Sequence, residues 1–184
     1  MTAKTAALLP NLLTGLRVIL TLVLVVVLAG RVPGLAVAFW LCLAILLTDY
    51  LDGRVARRLG ACSAGGALAD VVADGSYALA AAVSLGRLGL VPAWYVALVA
   101  GKLAEFAITS WLQSPPGRPQ LVFDPLGRLA SALFMAIPPV ALGWHHLTGR
   151  PAALLPVLAA ATALLSAVVR VAALLKRAKP GPSW

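Results

Sequence analysis

Apolar runs broken by short polar stretches set the layout of this chain. They cover roughly 12–29, 35–57, 66–85, 93–113, 126–147 and 152–175. A helix that crosses a bilayer needs about 20 mostly apolar residues. The pattern therefore predicts an all-α integral membrane protein of six transmembrane helices, one membrane domain over residues 1–184. The second run is short in its apolar part, so its helix is expected to project past the hydrocarbon with Asp49 and Asp52 near the interface. Turn signals separate the runs at Gly30-Arg31-Val32-Pro33-Gly34, Gly86 to Pro92, Ser114-Pro115-Pro116-Gly117 and Gly149-Arg150-Pro151. The first helix is expected to begin near Leu12, after Pro10, with Asn11 or Thr14 as its cap. Pro138-Pro139 is expected to bend the fifth. The first run continues into further spans and lacks a clear cleavage site, which reads as a retained helix rather than a signal peptide.

Composition agrees. At 61% hydrophobic and 11% charged residues, the chain is too apolar for an ordinary soluble domain. The net charge of +9 raises nucleic acid as a partner. The basic residues, however, lie mostly in short loops between apolar runs, which suits anionic lipid and phosphorylated substrates and argues against nucleic acid. Cys42 and Cys62 have no framework spacing, so neither a disulfide nor a zinc site is implied. Six spans put both termini on one side. Ten Lys and Arg residues fall on that side, and only Arg31, Arg87 and Arg150 on the other. The bias places both termini, the 49–74 stretch and the 114–127 loop in the cytosol, with the protein in the cell membrane. Trp94, Trp111 and Trp144 near predicted interfaces agree with this, while Trp40 falls mid-span.

Four of the six acidic residues are Asp49, Asp52, Asp70 and Asp74, at the ends of apolar runs where a carboxylate is costly. Asp49 and Asp52 are three apart and Asp70 and Asp74 four apart, so each pair shares a helix face. A short loop makes the two helices antiparallel neighbours, and the two faces converge. Carboxylates so close call for cations, and oxygen donors suit two hard divalent ions, Mg²⁺ or Mn²⁺. Gly53 and Ala56 leave room for something large against the backbone. Arg57 and Arg58 supply charge for a phosphate. Gly66 opens the third helix, and helical rise puts Asp74 about 12 Å deeper than Gly66. The bland alternative is carboxylates that are merely solvated or paired with neighbouring arginines. A second alternative is a non-catalytic cation-binding membrane protein or transporter.

The pattern Asp49-x2-Asp52-Gly53-x2-Ala56-Arg57-x8-Gly66-x3-Asp70-x3-Asp74 resembles, at every defined position, the signature of the CDP-alcohol phosphatidyltransferase family. Pro10-Asn11-Leu12-Leu13-Thr14-x2-Arg17 is similar to the family's lead-in to its first helix. A transporter has no need of Gly53, Ala56, Arg57 and Gly66 at those spacings. The resemblance implies that a CDP-linked lipid, typically CDP-diacylglycerol, is attacked by an alcohol with release of CMP. It implies that Asp49, Asp52, Asp70 and Asp74 hold two divalent metals. It further implies that Asp52, Gly53, Ala56, Arg57 and Gly66 receive the CDP group, and that Asp74 is the general base. Family members often pair as homodimers.

The acceptor is less constrained. A phosphorylated polyol would need a basic pocket, for which Arg17, Arg118 and Arg128 are candidates; each also reads as a cytosolic anchor. Leu126-Gly127-Arg128 resembles the start of the fifth helix in phosphatidylglycerophosphate synthases. Those enzymes carry proline and lysine where this chain has Val71 and Gly75. The expected acceptor is glycerol 3-phosphate, then inositol phosphate, with serine or another unphosphorylated alcohol as the alternative. Lys102 and Glu105, three apart, are expected to pair with each other.

Overall fold

A computed structural model describes residues 3–31, 34–59, 64–114, 121, 122 and 124–178; of 3–11, 31, 55–59, 64 and 176–178 it describes the backbone alone. The described chain is all-helical. The helices are α1 (Ala3–Val26), α2 (Leu35–Leu59), α3 (Ala64–Arg87), α4 (Ala93–Gln113), α5 (Pro125–Thr148) and α6 (Leu154–Ala178), with a wider turn over Val27–Arg31 closing α1. Each of the six is long and apolar enough to cross a membrane.

One boundary departs clearly from the sequence reading. Helix α1 begins at Ala3, not near Leu12, and runs through Pro10. Asn11 and Thr14 are therefore interior positions rather than caps. Pro10 is the eighth residue of α1 and lacks the N–H that would reach the Ala6 carbonyl, so the helix runs through it with one ladder bond missing. Pro138 and Pro139 are both buried, and α5 continues through them as one element.

Helix α1 packs on α2 and α3, α2 on α5, α3 on α4 and α5, and α6 closes against α4 and α5. Large apolar side chains such as Leu22, Trp40, Leu164 and Val168 point outward. Small ones face in: Ala38, Ala78, Ala81, Ala82, Ala141, Ala159 and Ala163 are buried. Lipid offers no hydrophobic drive between helices, so close backbone approach through small residues is what holds such a bundle. Gly75 shows the effect beside the acidic motif, because a Cβ there would lie 3.1 Å from Leu103 Cδ2 on α4. The helix pair α3–α4 is packed on that absence. This gives a local reason for glycine where the phosphatidylglycerophosphate synthases carry lysine.

Helix α5 has the most clearly built start. Asp124 is its N-cap and accepts from the Gly127 N–H at 2.7 Å, and Pro125 occupies the next position. A Cβ at Gly127 would fall 2.6 Å from Asp124 Oδ2 and 3.2 Å from Ser166 Oγ. Glycine is thus needed for the cap and α6 to meet at this point.

Candidate active site

Helices α2 and α3 do bring their carboxylates together. One oxygen from each of Asp49, Asp70 and Asp74 can be chosen so that all lie within 4.8 Å of one another. Asp52 stands one helical turn from Asp49 and is the most enclosed of the four, its side chain 7% exposed against 31% for Asp74. The carboxylate furthest along α3 is therefore not the one most shielded from solvent.

A third helix enters the cluster. Arg17, on α1, is fully buried and reaches all four aspartates. Its Nη1 donates to Asp70 Oδ1 at 2.6 Å and to Asp74 Oδ1 at 2.5 Å. Its Nη2 lies 3.1 Å from Asp49 and 3.6 Å from Asp52. Thr14, one turn before it, donates to Asp52 Oδ2 at 2.8 Å. Arg17 was expected on the acceptor side; the fold places it on the acidic motif instead. The fit is incomplete, since Nε and Nη2 are buried without a hydrogen-bond partner. Among the described residues, one guanidinium meets four carboxylates.

A cavity of about 460 Å³ opens from these aspartates toward α4 and α5. Asp49, Asp70 and Asp74 line one side, Lys102, Asp124 and Arg128 another, and Leu46, Val71, Leu103, Phe106 and Phe134 much of the rest. Of the predicted acceptor residues, Arg128 lines this cavity from the first turn of α5. Arg118 lies outside the described residues. Gly53 and Gly66 sit half-buried on α2 and α3. Ala56 and Arg57 belong to α2, but their side chains are also outside the described residues.

Behind the cavity lies a polar network that the sequence reading saw only in part. Lys102 pairs with Glu105 at 2.6 Å, as its spacing predicts, and also donates to Ser166 Oγ at 2.8 Å. Ser166 donates in turn to Asp124 Oδ2 at 3.2 Å. Arg170, on α6, is the residue the reading missed. It is buried, with Nε 3.6 Å from Asp124 and 3.9 Å from Glu105, and its guanidinium stacks 4.7 Å over the Phe106 ring. It also donates to Ser110 Oγ and to the Val122 carbonyl. The available signal was a lone cation inside the last apolar run, which in a membrane helix is seldom without a role.

A membrane-embedded helical bundle with clustered aspartates at a cavity that also presents cations is the architecture of an enzyme acting on phosphorylated lipid. More narrowly, the chain belongs to the CDP-alcohol phosphatidyltransferase family, whose domain spans residues 7–175. It is 32% identical over 144 residues to proteins of Mycobacterium bovis and Mycobacterium tuberculosis described as "Putative cardiolipin synthase", a match covering 74% of this chain and 68% of theirs. Membership makes the chain a transferase of substituted phosphate groups in phospholipid synthesis and sets the transporter alternative aside. The family is typically dependent on divalent cations, and the oxygen-only cluster of Asp49, Asp70 and Asp74 suits one.

Proposed function

We propose that the protein transfers the phosphatidyl group of a CDP-linked lipid, such as CDP-diacylglycerol, to a hydroxyl of a glycerol-based, phosphate-bearing acceptor, releasing CMP. The observation that carries this reading is the single cavity joining Asp49, Asp70 and Asp74 to Lys102 and Arg128. The acidic end would suit divalent cations that offset the charge of a diphosphate, and the basic residues opposite suit an acceptor that is itself an anion. The positive-inside bias orients the cavity and both termini toward the cytosol of the cell membrane.

Asp49, Asp52, Asp70 and Asp74 would hold two divalent ions, Mg²⁺ or Mn²⁺. Bound there, such ions supply charge neutralisation of the diphosphate and polarisation of the attacked phosphorus. Gly53, Ala56, Arg57 and Gly66 flank the path of the CDP group along α2 and α3. Asp74 accepts the proton of the acceptor hydroxyl as its oxygen bonds to the lipid-bearing phosphorus; the bond from that phosphorus to the CMP oxygen breaks, and CMP leaves. Arg128 meets the acceptor's phosphate at the other end of the cavity. The apolar walls keep bulk water from competing as the nucleophile.

The description of the mycobacterial relatives favours a second acceptor, a glycerol hydroxyl on an existing phospholipid, and the largely apolar lining accommodates one. A single assay tests both. Purified protein with CDP-diacylglycerol and Mg²⁺ or Mn²⁺ is offered glycerol 3-phosphate, inositol phosphate, phosphatidylglycerol and serine, and CMP is measured. Release with a phosphate-bearing glycerol acceptor is expected. Release with serine alone would overturn the acceptor assignment, and no release with any of them would overturn the reaction.

A further inference from the structure

Arg17 is the unusual feature of the acidic site. A buried arginine ordinarily finds acceptors for its five N–H donors, because an unpaired donor away from water is costly. Here Nη1 is shared between Asp70 and Asp74, while Nε and Nη2 have no hydrogen-bond partner. The guanidinium is held by two hydrogen bonds from Nη1 and, through Nη2, by charge alone. It takes the middle of a set of oxygens that a planar fork cannot fully satisfy and that a small spherical cation can. The residue is well tethered: the Thr21 hydroxyl donates to the Arg17 carbonyl at 2.8 Å, and Thr14 anchors the same face of α1 to Asp52. The backbone is therefore held, and what can exchange is the guanidinium itself.

We propose that Arg17 competes with divalent ions for the carboxylates of Asp49, Asp52, Asp70 and Asp74, and gives them up when those ions bind. The inference rests on the metal-dependent reading above and adds a competitor to it. Two consequences follow from charge alone. Without metal, Arg17 holds four mutually repelling carboxylates together across α1, α2 and α3. With metal, the same positive charge opposes loading, so the site binds divalent ions less tightly than its oxygens alone would allow.

The test measures Mn²⁺ binding by electron paramagnetic resonance on chelator-stripped protein in detergent, for wild type, Arg17→Met and Arg17→Lys. Arg17→Met keeps much of the side-chain volume and removes the charge, and should bind Mn²⁺ on the order of tenfold more tightly or better, given the strength of a unit charge a few ångströms away in a partly buried site. Arg17→Lys, which keeps the charge, should stay near wild type. Unchanged or weaker Mn²⁺ binding in folded Arg17→Met overturns the proposal while leaving the metal site intact. No Mn²⁺ binding in wild type removes the metal-dependent reading and this inference with it. Should Arg17→Met not fold, the wild-type protein still decides. The side-chain Nε–H resonance of Arg17, assigned by its loss in Arg17→Lys, must move on saturation with Mg²⁺, and a resonance that stays in place overturns the exchange.

Discussion

Two buried clusters of charge face each other across one cavity, and they are built on opposite principles. On the α1–α3 side, four aspartates share one arginine. On the α4–α6 side, Lys102 and Arg170 meet Glu105 and Asp124, with Ser110, Ser166 and the Val122 carbonyl taking part. The second cluster is formally neutral, although Arg170, like Arg17, keeps two buried nitrogens without a hydrogen-bond partner. Among the described residues the first has one cation for four carboxylates, an arrangement that suits added cations. A buried charge near the membrane interior is tolerated when paired. What separates a binding site from a structural one here is less the presence of carboxylates than whether the chain supplies their counter-charge.

That contrast can be broken most decisively at the acidic end. Asp70→Asn removes a ligand oxygen's charge where charge does the chemistry. CMP release should fall by about a thousandfold, the equivalent of several kcal/mol of phosphoryl-transfer stabilisation. The melting temperature in chelator should not fall, because the surplus of negative charge has shrunk. A clear drop in that melting temperature would show that this cluster, too, is structurally balanced.

A smaller effect is expected from Glu105→Gln, which spoils the balanced cluster. It leaves Lys102 and Arg170 sharing Asp124 alone and should cost roughly 2–3 kcal/mol, read as a lower melting temperature in detergent. Activity per folded molecule should change far less than in Asp70→Asn. A Glu105→Gln protein of normal stability but no turnover would move Glu105 from the scaffold to the reaction. The smallest effect belongs to Gly75→Ala, beside both regions. Leu103 must shift by a few tenths of an ångström, for about 1 kcal/mol, with a matching small loss of melting temperature. No change would mean that α3 and α4 are not held at their closest approach there.

The two clusters also differ in how far they could be seen in the sequence. Asp49, Asp52, Asp70 and Asp74 announce themselves because each pair is local, at helical spacing on adjacent helices. Arg17 stands in the same recognisable stretch as Thr14, yet its position among the aspartates depends on how α1 docks, which no spacing encodes. Arg170 was harder still. Its partners Glu105, Ser110, Val122 and Asp124 lie about 45 to 65 positions earlier in the chain, on α4 and in the segment that leads into α5. The six helices were legible from apolar length alone. The start of α1 differs because Pro10-Asn11 reads as a boundary, whereas the helix runs through Pro10 with one ladder bond missing.

Thr14 and Arg17 also bear on how such a chain is made. All four aspartates and Arg17, their buried arginine partner among the described residues, belong to the first three helices, within the first 87 residues. During synthesis these helices reach the bilayer before α4 exists, and domains tend to organise in the order in which they emerge. Arg17 can thus offset part of the cluster's negative charge within an early three-helix unit. The later helices then meet a partner whose acidic residues are already sheltered from lipid.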